Sequence, residues 1–312
     1  MSEHAEQNTG RAIENIALLD LTTMTAGALA RVESIRNVAT VIVPQSLSEA
    51  LAAIPMRNVA QVLPVPDGAR VNVHTGAVTM DGAALAAGAG QPTILVVTGV
   101  LVVTSPVERV GFQGIMVVGA VVAPDGSQAA LAGALRNVVG SVTYYRWAEG
   151  QTVKVLQGES RISGEVLANP NGMPEDILLS AGALVVTGPV LTVGFQQVIA
   201  VGGLVAPEES EAVLSPALTT VGGAVWYTAP PRLFNGKDRF GAGFFELLDG
   251  PVTLVLNGEF RVEPDVTREI VRERVAAIAL NGVLEASADL VPLLQVLAVQ
   301  KNGLIKTIDE DR

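Results

Sequence analysis

The chain has 312 residues, a formal net charge of −11, and a composition that is 49% hydrophobic but only 16% charged and 4% aromatic. The acidity argues against a nucleic-acid partner, whose electrostatic footprint would be basic. Cysteine is absent and histidine occurs twice, which removes disulfides, thiolate chemistry and the three or four ligands of a zinc site built from His and Cys.

Residues 1–12 open a polar tail, within "MSEHAEQNTGRAIEN". It lacks the charged-then-apolar order of a signal peptide, so a cytoplasmic location is expected. Two stretches, 82–107 and 177–207, carry no charge and are long enough to raise the question of a membrane span. Pro92, Ser105 and Pro106 interrupt the first; Pro189, Gln196 and Gln197 interrupt the second. Neither is flanked by a Lys/Arg cluster, and both read as buried strands.

From residue 13 onward a phrase recurs: apolar residues, a glycine, then apolar residues again. It appears as "ILVVTGVLVVTSP" (94–106), "IMVVGAVVAP" (115–124), "ILLSAGALVVTGP" (177–189) and "VLNGEFRV" (255–262). With the central glycine as phase marker, Gly76, Gly99, Gly119 and Gly140 lie 23, 20 and 21 residues apart. Gly158, Gly182, Gly202 and Gly223 follow at 24, 20 and 21, and Gly258, Gly282 and Gly303 at 24 and 21. A larger period overlies the small one. "VGFQGIMVVGAVVAP" (110–124) returns as "VGFQQVIAVGGLVAP" (193–207), 83 residues later with nine of fifteen positions identical.

A unit of about 21 residues cannot bury its own apolar face, so such units stack. The expected fold is a repeat protein: a single elongated parallel β-solenoid over 13–308, with about 21 residues per turn and a four-turn super-repeat of about 83 residues. The super-repeats fall near 13–66, 67–148, 149–230 and 251–308. Short α-helices are expected on some turns, at 46–55, 124–135, 207–218, 266–278 and 288–298. Ser46 and Glu49 have the spacing of a capping box. In architecture alone this resembles leucine-rich-repeat and bactofilin-type solenoids. The consensus Asn ladder of the former and the six-residue rhythm of the latter are missing.

Between Gly223 and Gly258 the gap is 35 residues, read as an insertion at 231–250. "PRLFNGKDRFGAGFFELLDG" holds Phe234, Phe240, Phe244 and Phe245, four of the seven phenylalanines, together with Arg239. A helix at 242–249 that covers the solenoid with its aromatic side is the favoured reading, and a docking loop the alternative. Tyr144 and Tyr227 are 83 residues apart and expected on one side of the rod, with Trp226 beside the second. These aromatics and Arg239 are the candidate partner contacts. The chain ends in an acidic tail, 309–312.

Chemistry is harder to find. His4 sits in the polar tail and His74 in a strand, without positioned partners. "GESRI" and "GEFRV" place Glu159 with Arg161 and Glu259 with Arg261, the best acidic candidates, read as surface ion pairs. No catalytic residue, cofactor or metal is assigned. The expected function is a non-enzymatic structural scaffold that self-associates through solenoid ends or faces into oligomers or filaments. The alternative is a binding platform that holds a protein or glycan on one face or on 231–250.

Overall fold

The computed structural model describes residues 11–88 and 93–308. His4 and the acidic tail 309–312 lie outside the described residues. The chain divides into two compact units, Met1–Trp147 and Ala148–Arg312, where one domain was expected. Among the described residues all strand pairing is parallel, as the stacking argument requires.

In the first unit, β1 (Arg11–Asp20), β2 (Val32–Pro44) and β3 (Met56–Val65) form a sheet in that order. A second sheet holds β4 (Arg70–Met80), β5 (Thr93–Val103), β6 (Gly114–Pro124) and β7 (Leu135–Tyr145). Successive strands are joined by short helices: α1 (Ala26–Leu29), α2 (Ser48–Ala52), α3 (Gly82–Ala87) and α4 (Gln128–Ala134). β1 therefore begins inside the expected polar tail.

The continuous apolar runs have a simple cause. In β5, Leu95 and Val97 point into a core with Leu85 of α3 and Leu131 of α4. Ile94 and Val96 point the other way, onto Ile42, Leu63 and Val65 of the first sheet. Each sheet thus has a helix-side core and a sheet-side core, so neighbouring residues are both buried.

In the first stack of the second unit, residues 153–227, each turn carries two short strands in place of one long one. β8 (Val153–Leu156), β10 (Ile177–Ser180), β12 (Gln197–Ala200) and β14 (Leu218–Thr220) make one ladder. β9 (Ser160–Ser163), β11 (Leu184–Thr187), β13 (Leu204–Pro207) and β15 (Ala224–Tyr227) make the next. α5 (Glu211–Leu214) lies between β13 and β14. The last sheet is β16 (Pro231–Phe240), β17 (Val252–Val262), β18 (Val275–Ala286) and β19 (Ala298–Thr307), joined by α6 (Ala242–Glu246), α7 (Arg268–Arg274) and α8 (Val291–Leu297). Val185 and Val205 meet Val255 and Ala279 in the shared sheet–sheet core.

Within each unit, an uninterrupted stack would hydrogen-bond β3 to β4 and β15 to β16. Neither of those ladders forms among the described residues; the strands fall into five sheets. The repeat of parallel turns is present, but it is divided.

The segment 231–250 is not an insertion. β16 pairs residue for residue with β17, Gly236 opposite Gly258, so it is the first turn of the last four-strand sheet. That sheet begins at 231 and not at 251. At the other corners Gly76, Gly99, Gly119 and Gly140 lie in register, as do Gly258, Gly282 and Gly303. In the split stack the close contact passes from Gly202 to Gly222, while Gly223 takes a positive φ of 84° beside it. In the first sheet Asn15, Asn37 and Asn58 turn the corner, with φ of 60°, 52° and 55°. Asn tolerates this conformation because its short side chain can hydrogen-bond locally. Here it bonds along the stack: Asn37 Nδ2 donates to Asn15 Oδ1, and Asn58 Nδ2 to Asn37 Oδ1, both at 2.9 Å. An Asn ladder therefore runs along this corner of the first sheet.

Buried polar contacts recur with the larger period. Val107 N donates to Ser127 Oγ at 3.0 Å, and Val190 N to Ser210 Oγ at 2.9 Å. Tyr145 donates its hydroxyl to Val103 O at 2.7 Å, and Tyr227 to Val186 O at 2.8 Å, each about two turns back. Tyr145, not Tyr144, is thus the counterpart of Tyr227; Tyr144 occupies the position of Trp226. The capping box does not form. Ser46 donates its hydroxyl to Asp67 Oδ1 at 2.7 Å instead. Among the described residues no helix is long and apolar enough to cross a membrane.

Candidate functional site: the ends of the stacks

The aromatic residues proposed for partner contact are largely spent on the core. Phe240 and Phe245 are 2% and 1% exposed, and Phe234 and Phe244 pack against the same cluster. Phe240 stacks on Phe260 with ring centroids 5.8 Å apart, and meets Phe234 edge-on at 4.9 Å. The helix is shorter than the expected 242–249, ending at Glu246, and its Phe244 and Phe245 face this core. Tyr144 and Trp226 pack against the helix-side cores of their own stacks. Tyr227 joins the sheet–sheet core of the second unit. Arg239 is exposed and lies 3.5 Å from Glu263.

The two acid–base words also part company. Glu159 and Arg161 pair at 3.1 Å. Glu259 instead meets Lys237 at 3.0 Å, because Lys237 stands directly across the ladder. Arg261 lies 3.8 Å from Glu263.

One polar cluster was missed by sequence reasoning. Lys154 Nζ lies 3.1 Å from Asp176 Oδ2 and donates to Asn169 Oδ1 at 2.7 Å. Asn169, with φ of 51°, donates to the carbonyls of Met173 at 3.0 Å and Gly194 at 3.1 Å. Asp176 also accepts from Met173 N at 3.1 Å. The Lys154 hydrogen bond is the main cause holding the Asp176 carboxyl below its usual value. Each polar group already serves another, so the cluster fastens the 169–176 loop and offers no free base. The signal in the sequence was a lysine inside the apolar strand "VKVL".

That lysine belongs to a wider pattern at the first strand of each stack. Lys154 on β8 stands in register with Leu178, a core residue. On β4, Asn72 and His74 stand in register with the core residues Leu95 and Val97. On β16, Asp238 stands in register with Phe260. Polar side chains at core positions of an outer strand are a known guard against edge-to-edge pairing.

β1 breaks the pattern. Its core positions hold Ile13, Ile16 and Leu19, in register with Ile35, Val38 and Val41. Together with Met24, Ala28 and Val32 they line an open hollow of about 510 Å³. At the other end of the same sheet, β3 carries Met56, Val59 and Val62 in those positions. A second hollow of about 310 Å³ lies there, lined by Val43, Leu51, Ala52, Met56, Val62 and Pro64. Comparison with family models, with curated proteins and with solved structures returns no match. Among the described residues no group of three or more His, Cys, Asp or Glu is placed to hold a metal.

Proposed function

We propose that this chain is a non-enzymatic structural protein, made of short β-solenoid stacks, that self-associates through stack ends into oligomers or filaments. The observation that carries the reading is the unguarded first sheet. Three stacks begin with a polar or charged side chain at a core position, and the first begins with Ile13, Ile16 and Leu19. An unpaired strand edge with an apolar flank is a template for another strand. Sedimentation velocity and light scattering across a wide concentration series test it. Mass should rise with concentration; a uniform monomer throughout would refute it.

A second reading, a binding platform, rests on a cleft in the second unit. Asn257, Asn281, Asn302 and Gln300 face Gly203 and Gly223 across about 210 Å³. Side-chain amides suit the hydroxyls of a glycan, although Asn302 Nδ2 already donates to Asn281 Oδ1 at 3.1 Å. A glycan that bound the monomer and was lost in Asn281→Ala would favour this reading over the first.

A further inference from the structure

We infer that the edge of β1 is covered by the edge of β3 from a second copy of this chain, parallel and in the register that the first sheet already uses. This deepens the self-association reading and rests on it.

Four features of the first sheet converge on that occupant. The amide ladder has a direction, with each later Asn donating to the earlier one. Asn58 Oδ1 and Asn15 Nδ2 are therefore the two ladder groups facing outward at opposite ends. Placing Asn15 of a second copy after Asn58 continues the chain of bonds with the same polarity. Charge continues as well. Glu14 stands in register with Arg36, and Arg36 with Arg57. The extended register sets Glu14 of the second copy against Arg57, opposite signs directly across a ladder.

The apolar positions fit in the same alignment. Met56 meets Ile13 of the second copy, Val59 meets Ile16 and Val62 meets Leu19. Ile16, Met56 and Val62 are 38%, 40% and 36% exposed in one chain, and this contact covers all three. Corner geometry favours β3 over β7 and β19. β1 and β3 both turn on a left-handed Asn, whereas β7 and β19 turn on Gly140 and Gly303. β19 also places Lys301 at the core position held by Leu280 on β18. Because the two surfaces differ, the contact is head-to-tail and propagates into a ring or a filament.

Charge reversal tests the register. Glu14→Arg sets two guanidinium groups against each other across the contact, and Arg57→Glu sets two carboxylates there. Each variant alone should associate about tenfold more weakly than the parent chain. An equimolar mixture restores opposite charges wherever the two variants alternate and should recover the parent affinity. Circular dichroism and melting of each variant alone verify that it folds. If the parent associates and neither reversal changes it, this interface is wrong while self-association stands. If the parent is monomeric at every concentration, both fail. If association appears only after residues 1–10 are removed, the edge of β1 is not open to a second copy in the intact chain and the inference is overturned.

Discussion

Gly119→Ala should destabilise the first unit by about 3 kcal/mol or more, and Gly76→Ala by only about 1–2 kcal/mol, although both glycines sit at the same corner. An added Cβ at Gly119 would lie 1.9 Å from the carbonyl oxygen of Gly99, one turn earlier. No side-chain rotation relieves that contact, because the obstacle is backbone. The φ of 134° is also closed to residues with a side chain. Gly76 heads its column, with φ of 84° and no atom within 4 Å of the added carbon. Its substitution costs backbone strain alone. Urea denaturation of both variants checks the order. Equal losses would show that conformational freedom, and not the close stacking of turns, explains the repeated glycine.

Phe240→Ala should cost about 3–5 kcal/mol, the loss typical of a large aromatic cut from a packed core. The ring touches Phe234, Phe244, Phe245 and Phe260, with centroid separations of 4.9, 4.8, 6.4 and 5.8 Å. A cavity there cannot collapse without moving β16, α6 and β17 together. Leu247→Ala is the companion measurement. Leu247 is 86% exposed on the same turn, and its removal should stay within about 0.5 kcal/mol. If Phe240→Ala left stability unchanged, the phenylalanines would again be candidates for a docking surface.

The period of the turns was legible because a corner glycine is irreplaceable wherever it stacks on the turn before it. Gly99, Gly119 and Gly140 announce themselves for that reason. Gly236 did not, because its neighbours Asn235, Lys237, Asp238 and Arg239 are polar and hide the apolar phrase. They are polar because β16 is an outer strand, which the sequence cannot reveal before its partners are known. The first sheet was obscured differently, since Asn supplies the left-handed corner and leaves no glycine to count.

Tyrosine shows how a correct period can mislead at single-residue resolution. Tyr144 fits the spacing of 83 to Tyr227, yet the ladder aligns Tyr145 with it. Burial pushes the Tyr145 phenol above its ordinary value and leaves its hydroxyl a donor to Val103 O. The guarded and unguarded edges were beyond sequence reasoning for the same cause as Gly236. Lys154, His74 and Asp238 look like unrelated polar residues until the register places each beside a core residue of the next strand.

Hydrogen exchange followed by peptide mass spectrometry tests the repeat of parallel turns most directly. Central strands have both edges bonded, and outer strands only one. Slow exchange is predicted over Thr93–Val103, Gly114–Pro124, Val252–Val262 and Val275–Ala286. Pro231–Phe240 should show intermediate protection, matching Ala298–Thr307 at the opposite edge of its sheet. Rapid exchange throughout 231–250, beside protected neighbours, would contradict the account and return that segment to a loop.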